Sequence, residues 1–273
     1  MIDVKHRIGF YGAGNMAQAI IAGLVDSNLY KKEEILVYNH RYEPILQEVE
    51  KKYGINVIID EKELFEQTDL VILAVKPAIL VQILPRVKTY LQEGHVLVSI
   101  AVGVGLQQIT ALTGPHKIIR AMPNTPAMVN EAMTSVSPNE LVSAEEVQAV
   151  VDVFNELGKA KVVSEEVIDA VVGVSGSAPA YVYLFIEALA DGAVAEGLSR
   201  DDAYEFASQA VLGAAKMVAE TGKHPAELKD MVTSPKGTTI TAVQSLEENN
   251  FRASVIKAVK AAANKNHEMS KED

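Results

Sequence analysis

The 273-residue sequence has no cysteine and an excess of acidic side chains. Without cysteine, no disulfide framework can form. The 25 basic and 36 acidic side chains give a formal net charge of -11. Such a surface repels nucleic acids and anionic membranes unless it carries a concentrated basic patch, and the sequence shows none. We therefore predict that the chain binds neither nucleic acid nor a membrane.

Long uninterrupted apolar runs are also scarce. "DLVILAVKP" is broken by Lys76 and Pro77, and "APAYVYLFIEALADGAVAEGL" by Glu187, Asp191 and Glu196, so neither is predicted to span a membrane. The start "MIDVKHRIGF" has neither a signal-peptide core nor an Arg-rich transit helix, which indicates a cytoplasmic protein. The six histidines lack metal-ligand spacing, and we predict no metal site.

Two periodicities divide the chain. From residue 7 to about 120, short β-branched runs such as "RIGFYG", "EILVYN", "DLVILAV", "HVLVSIAV" and "KIIRAMP" alternate with amphipathic segments. This rhythm predicts βαβ units and a parallel sheet with helices on both faces. From about residue 165 the sequence becomes Ala-rich, and its apolar residues recur at helical spacing. The predicted fold is an α/β Rossmann-type doubly wound domain, residues 1–164, followed by an all-α domain, residues 165–273.

One helix of the second domain is apolar on nearly every face, with Ala180, Val182, Leu184, Phe185, Ile186, Ala188, Leu189, Ala190, Ala193 and Val194. A helix of this kind must be buried all round. A domain of about 110 residues has little material to surround it, which favours cover by another subunit. A central helix within one monomer is the alternative.

The stretch "IGFYGAGNMA" combines a strand, Ile8 to Tyr11, with a G-x-G-x-x-A turn into a helix. The first Gly allows the tight turn, and the second lets the backbone approach a pyrophosphate at the helix N-terminus. The position in the first βαβ unit favours dinucleotide binding over a turn without a ligand. The predicted cofactor contacts here are Gly12, Ala13, Gly14, Asn15 and Met16.

The end of the next strand, "EILVYNHR", lacks the acid that marks an NAD site. Asn39 can donate to a 2′-phosphate, and Arg41 can pair with its charge. We therefore predict NADP(H) as the favoured cofactor, with NAD(H) as the alternative. The alternative is that these are ordinary turn residues that bind no ligand.

Two later strand exits also lie at the predicted carboxyl edge of the sheet, where open α/β sheets bind ligands. "LAVKP" contributes Ala74, Val75, Lys76 and Pro77 as predicted cofactor contacts. "RAMPNTPA" contributes Asn124, in a rigid loop that could wall the nicotinamide pocket. A purely structural turn is the alternative for each.

The stretch "DMVTSPKGTTI", residues 230–240, precedes the helical text "ITAVQSLEE" and contains no His. Backbone N–H groups at the start of that helix can bind an anion, and two threonines add hydroxyls. This combination suits a small ligand that bears a carboxylate and a polar ring atom. Plain helix capping by Ser234 or a threonine is the alternative.

The motifs quoted above, together with the highly specific "GSAPAY" and "VTSPKGTT", resemble those of the Δ1-pyrroline-5-carboxylate reductases, and the resemblance runs along essentially the whole sequence. The resemblance implies NAD(P)H-dependent reduction of 1-pyrroline-5-carboxylate to L-proline. It implies that Gly237, Thr238 and Thr239 cradle the substrate carboxylate and ring nitrogen, and that Glu165 and Met231 line the same pocket. Because the Thr239 hydroxyl can act as donor or acceptor toward the ring nitrogen, we predict Thr239 as the catalytic residue. It also implies a homodimer with interlocked helical domains, often assembled into a ring of five dimers.

Three positions depart from the usual family pattern. Lys236 replaces the first Gly of "SPGGTT", Ala178 replaces a Gly of "GSGPAY", and Glu61 stands where the family often has an Asn near the adenosine ribose. A lysine disfavours a positive φ at position 236.

Two other functions stay open at this point. A reductase of the β-hydroxyacid dehydrogenase type generally uses a Lys in the first long helix of its second domain, but residues 179–197 contain none, and Lys216 is the nearest. A catalytically silent NADP(H)-binding regulator is the other alternative. The intact "TSPKGTT" loop argues against it.

Overall fold

The computed structural model describes residues 7–270, which fall into two compact units. The sheet unit runs to Gly176 and takes in the chain again from Ala262, and the helical unit is Ser177–Ala261. This division follows spatial contacts, whereas the predicted boundary between residues 164 and 165 followed the change of sequence period. The predicted domain boundary therefore stays a prediction.

The sheet unit is built on eight strands in the order β3-β2-β1-β4-β5-β6-β7-β8. The strands are β1 Ile8–Tyr11, β2 Ile35–Tyr38, β3 Asn56–Ile58, β4 Leu70–Leu73, β5 Val96–Ser99, β6 Lys117–Met122, β7 Ala132–Pro138 and β8 Gly158–Val162. All neighbours are parallel except β6 and β7. The predicted doubly wound sheet is thus confirmed, with β3, β7 and β8 as strands that the sequence did not reveal.

Helices cover both faces of this sheet. They are α1 Asn15–Ser27, α2 Gln47–Tyr53, α3 Glu61–Gln67, α4 Pro77–Val87, α5 Leu106–Thr113, α6 Ala144–Asn155 and the short α7 Ile168–Val171. One apolar core lies beneath α1, α2 and α6, and a second beneath α3, α4 and α5. Phe10 and Ile20 in the first core and Leu84 in the second are fully buried. Each such side chain stabilises the fold by about 1.5–3 kcal/mol.

The order in which strands are added to the sheet reverses at β1, which has β2 on one side and β4 on the other. At such a switch point the loops after neighbouring strands diverge and leave a crevice at the carboxyl ends of the strands. The loops that follow β1, β2 and β4 all leave from this edge.

Backbone packing at β7 and β8 is unusually close. Gly158 pairs with Ala132 and has a φ of 141°. A Cβ at position 158 would lie 2.3 Å from the Ala132 carbonyl oxygen. Only glycine fits there, because any side chain would meet backbone atoms that cannot move aside.

The helical unit contains α8 Ala178–Ala195, α9 Arg200–Thr221, α10 Pro225–Met231, α11 Thr238–Glu248 and the first part of α12 Phe251–Met269. Its buried cluster consists of small residues, namely Ala190, Ala203 and Ala207. Large apolar side chains lie outside, with Leu184 66% and Phe206 69% exposed. In the single chain a large part of the apolar surface of α8 is therefore exposed, as expected if a second subunit supplies the cover.

The segment Glu165–Ala195 has the length and the mean hydropathy, 1.4, of a membrane-crossing helix, and 17% of its most apolar window is buried. Length and composition alone are weak evidence, because a core helix of a soluble protein has the same properties. What the exposure does require is some apolar cover for α8.

Candidate functional site

A cleft of about 580 Å³ opens at the carboxyl ends of β1, β2 and β4. It is lined by Tyr11, Gly12, Ala13, Gly14, Tyr38, Asn39, His40, Ala74, Val75, Lys76, Ile79, Gln82, Ile83 and Arg86. Three separate predicted motifs, the glycine turn, the end of β2 and "LAVKP", thus meet in one place. Lys76 and Arg86 give the wall positive charge.

The glycine turn has the geometry that a dinucleotide requires. Gly12 has a φ of 106°, and a Cβ there would lie 2.7 Å from the Ala74 carbonyl oxygen. Gly14 precedes α1, and a Cβ on it would have nothing within 4 Å. Within residues 7–270 no side-chain hydrogen bond caps α1, so the N–H groups of its first turn are available beside Gly14. This fits a pyrophosphate approaching the helix N-terminus.

The second candidate region is the start of α11 in the helical unit. Gly237 precedes this helix, and among the described residues no side-chain hydrogen bond to the N–H groups of its first turn is present, so capping by Ser234 or a threonine is not observed. The Gly237 N–H donates to the Ser234 carbonyl oxygen at 3.0 Å, so the first available amides belong to Thr238 and Thr239.

Lys236 has a φ of 59° in the left-handed region, although a lysine disfavours that conformation. The turn around it closes through the hydrogen bond from Gly237 to Ser234. The departure from glycine at this position therefore leaves the turn in place and adds strain to it.

A shallow hollow of about 450 Å³ adjoins this helix start, lined by Lys236, Gly237, Thr238, Thr241, Ala242 and Ser245. Thr239 is half-buried beside it. Met231 lines a different apolar groove, with Met217 and Leu228. Within the helical unit the structure thus groups Gly237 and Thr238 and places Met231 elsewhere.

Comparisons with known proteins cover nearly the whole chain. Residues 165–269 match the family model "Pyrroline-5-carboxylate reductase dimerisation", and residues 7–103 match "NADP oxidoreductase coenzyme F420-dependent". The pyrroline-5-carboxylate reductase of Escherichia coli K12 is 48% identical over 98% of this chain and 100% of its own length. The chain belongs to the pyrroline-5-carboxylate reductase family. The family resemblance predicted from the sequence is thereby confirmed.

Solved structures of the family agree with the fold. A pyrroline-5-carboxylate reductase from Coxiella burnetii superposes with a TM-score of 0.92 at 37% identity, covering 97% of this chain and 99% of its own. The Plasmodium falciparum pyrroline carboxylate reductase, solved with NADP bound, gives 0.87 at 33% identity, covering 98% and 99%. The predicted fold class and the use of a nicotinamide cofactor by this family are confirmed.

Several predicted cofactor contacts do not line the cleft among the described residues. Asn15 and Met16 open α1 beside it, and Pro77 opens α4. Arg41 is exposed, and its carbonyl oxygen accepts a hydrogen bond from Asn39 Nδ2 at 3.3 Å.

The amide of Asn124 holds two backbone segments in the sheet unit. Its Nδ2 donates to the Ser175 carbonyl oxygen and its Oδ1 accepts from the Met133 N–H, both at 3.0 Å. These two bonds fix the loop after β6, which leaves a nicotinamide contact of this side chain as a prediction.

Glu165 has a defined role within the sheet unit. Its Oε1 accepts from the Leu106 N–H at 2.8 Å, at the start of α5, and from Arg120 Nη1 at 3.1 Å. Arg120 is buried, and its Nε and Nη2 have no hydrogen-bond partner among the described residues. The carboxylate thus caps a helix and neutralises a buried cation, which is compatible with the predicted substrate contact but does not require it.

A polar cluster lies behind the cleft, and sequence reasoning singled out only one of its members, Glu61, and missed Tyr11 and Arg86. The Tyr11 hydroxyl donates to Glu61 Oε1, and Arg86 Nε pairs with Glu61 Oε2 at 2.6 Å. Arg86 Nη2 donates to the Tyr11 hydroxyl at 3.2 Å. Burial, and then the bond to Glu61, raise the pKa of Tyr11, which stays protonated. These side chains come from β1, α3 and α4, so no local motif signals their meeting.

Proposed function

We propose that this protein reduces 1-pyrroline-5-carboxylate to L-proline with NADPH, the last step of proline synthesis. Its 48% identity to the Escherichia coli reductase, across both units, carries the proposal. The charged cleft at Gly14 and the uncapped start of α11 supply complementary sites for a dinucleotide and for a small carboxylate.

The substrate explains why the α11 region holds so few ionisable groups. A protonated cyclic imine is already electrophilic, so the protein mainly needs to hold its C5 carbon in line and to hydrogen-bond its nitrogen. Bound NADPH supplies the hydride. In our proposal the Thr238 and Thr239 N–H groups bind the carboxylate and the Thr239 hydroxyl bonds the ring nitrogen. Glu165 and Met231 stay proposed substrate contacts.

The wall of the cofactor cleft favours NADPH over NADH. The described residues that line it include no carboxylate, whereas an NAD site usually has one for the ribose 2′-hydroxyl. Asn39 and Arg41 are our proposed 2′-phosphate contacts, together with Asn15, Met16, Ala74, Val75, Lys76, Pro77 and Asn124 for the rest of the cofactor. Arg41→Ala should lower the ratio of kcat/KM with NADPH to kcat/KM with NADH about tenfold, because one exposed charge-assisted contact is lost. Equal use of both cofactors by the wild type would contradict this assignment.

One assay separates the candidate activities. Addition of 1-pyrroline-5-carboxylate to the protein and NADPH should cause NADPH absorbance to fall and L-proline to accumulate. Turnover of a 3-hydroxy acid with NADP⁺ instead would indicate the β-hydroxyacid dehydrogenase type. Tight NADPH binding without turnover of either substrate would indicate a silent regulator.

We also propose a cytoplasmic homodimer that assembles further into a ring of five dimers. Support comes from the match to a dimerisation model over residues 165–269 and from the exposed apolar surface of α8. Light scattering on the purified protein distinguishes the monomer, the dimer and the ring.

A further inference from the structure

An acidic side chain lies directly behind the cofactor cleft, in a state that makes it unavailable to a ligand. Glu61 begins α3 and is 9% exposed. One carboxylate oxygen accepts from Tyr11 and the other pairs with Arg86, and both of those partners line the cleft. Each oxygen thus has a partner inside the protein, and the side chain is 10% exposed, so Tyr11 and Arg86 lie between the carboxylate and a ribose hydroxyl in the cleft.

Arg86 holds this acid and is itself half-open to the cleft. Its Nε and Nη2 are engaged by Glu61 and Tyr11. Its Nη1 has no hydrogen-bond partner among residues 7–270, and the side chain is 56% exposed. The two bonds fix the plane of the guanidinium while leaving donors free, which is the arrangement that suits a phosphate.

The position of Arg86 follows from a chain of contacts that leads to the end of β2. The Arg86 guanidinium contacts the Tyr11 hydroxyl, and the Tyr11 and Tyr38 ring centroids lie 4.8 Å apart. Tyr38 is the last residue of β2 and precedes Asn39, which lines the same cleft. In this fold the ribose 2′ position lies at the end of the second strand, whereas the glycine turn takes the pyrophosphate.

We propose that Arg86 binds the 2′-phosphate of NADP(H) and that Glu61 is the positioning residue that orients it. This inference rests on the proposed use of NADP(H). It has a specific consequence for the variant that lacks Arg86: the Glu61 carboxylate then loses its cation and repels a 2′-phosphate. Glu61 is thus harmless to NADP(H) only while Arg86 is present.

The test compares two probes that differ only in the 2′-phosphate, adenosine 2′,5′-bisphosphate and adenosine 5′-monophosphate, by calorimetry on the full chain. The variants are Arg86→Gln, Glu61→Gln and the double variant. Arg7→Gln is the matched control, because Arg7 lies just before β1, at the opposite edge of the sheet, and bonds Gln67. Melting temperatures are recorded for each, and wild-type turnover of 1-pyrroline-5-carboxylate is measured separately.

We expect Arg86→Gln to bind the bisphosphate about 30-fold more weakly and the monophosphate within about threefold of wild type. The double variant should recover part of that loss, to about tenfold below wild type, because the unpaired acid is gone. Glu61→Gln keeps the cation but loses the charge pair that orients it, so the bisphosphate should bind about tenfold more weakly while the monophosphate stays within about threefold of wild type. Arg7→Gln should stay within about threefold for both probes. Where Arg86→Gln does not fold, the double variant, which buries no lone charge, carries the comparison.

Equal weakening of both probes by Arg86→Gln, or by the double variant, would overturn the role of Arg86. A double variant that binds the bisphosphate as weakly as Arg86→Gln alone would overturn the role of Glu61. Neither result touches the proposed reaction, since a wild type that reduces the imine stays a reductase whichever residue holds the 2′-phosphate. Conversely, a wild type that binds the bisphosphate selectively without turnover leaves the Arg86 assignment standing.

Discussion

The two units of this chain bury very different side chains. In the sheet unit, Phe10, Phe65 and Phe154 are at most 1% exposed, within two continuous cores. In the helical unit the buried cluster is three alanines, while Leu184 and Phe206 face outward. An alanine contributes far less apolar area than a phenylalanine. The sheet unit therefore has a core of its own, whereas the helical unit depends on a second surface, as a dimerisation family requires.

Both units nevertheless share one feature of their proposed ligand sites. The helices α1 and α11 each begin without a side-chain cap, after Gly14 and Gly237 respectively. Open N–H groups at a helix start attract an anion in either setting. The sheet unit adds a deep cleft to this device, and the helical unit adds the hydroxyls of Thr238 and Thr239.

The largest effect should come from a charge placed on the uncovered surface of the helical unit. Leu184→Glu is expected to dissociate or unfold the protein, at a cost of several kcal/mol, because the partner would bury an unpaired carboxylate. Ile59→Glu is the matched control in the sheet unit, where Ile59 is 70% exposed, and it should leave assembly unchanged. Light scattering measures the oligomeric state of both variants. A folded wild-type monomer would contradict the inference that the helical unit needs a second subunit.

The next effect tests the start of α11. Thr239→Ala should lower kcat/KM about 10- to 150-fold while NADPH affinity stays unchanged, because a hydrogen bond that strengthens as the ring nitrogen becomes an amine is worth about 1.4–3 kcal/mol. Thr221→Ala, at the end of α9, is the matched control and should keep full activity. If Thr239→Ala instead lowers the melting temperature with normal kcat/KM, Thr239 only stabilises the helix.

The corresponding test for the sheet unit is Gly14→Ala. We expect NADPH affinity to fall about tenfold with an unchanged melting temperature, because the new methyl group occupies space that the pyrophosphate needs. Gly94→Ala also adds a Cβ that meets nothing within 4 Å, but away from the glycine turn, and should have no effect. Fluorescence titration with NADPH measures the affinity of both variants. Unchanged affinity in Gly14→Ala would show that the cofactor does not bind at the glycine turn.

The smallest effect should appear at Lys236. Lys236→Gly is expected to raise stability by about 0.5–1 kcal/mol, because glycine takes a positive φ without the steric cost that lysine carries. Asn250→Gly, at a φ of 60°, should gain less, since asparagine tolerates this region better. Thermal unfolding of both variants provides the measurement, and a lower melting temperature for Lys236→Gly would contradict the expected strain.

Contiguous motifs allowed much of the sheet unit to be predicted from sequence. The strand Ile8–Tyr11 and the glycine turn follow from apolar runs and local turn chemistry. The strand β7 was not predicted, because it buries polar side chains that break the apolar pattern of a strand, namely Thr134, Ser135 and Ser137. Apolar periodicity cannot identify such a strand.

The site divides in the same way. Gly12 to Gly14 lie in one loop, so a motif identifies them, whereas Arg86 reaches the cleft from α4 and its partner Glu61 lies behind it on α3. Sequence spacing also left open which amides of the "SPKGTT" turn are available. Only the turn geometry assigns the Gly237 N–H to Ser234.

Gly158 bears on how strict sequence requirements in this protein should be interpreted. Every other residue would place a Cβ against the Ala132 backbone, between β7 and β8, which three other strands separate from β1 and its glycine turn. A saturation library selected for proline synthesis should therefore reject all replacements at position 158 as firmly as it rejects them at a catalytic residue. An invariant glycine found there in a selection experiment would report chain packing and carry no information about the reaction.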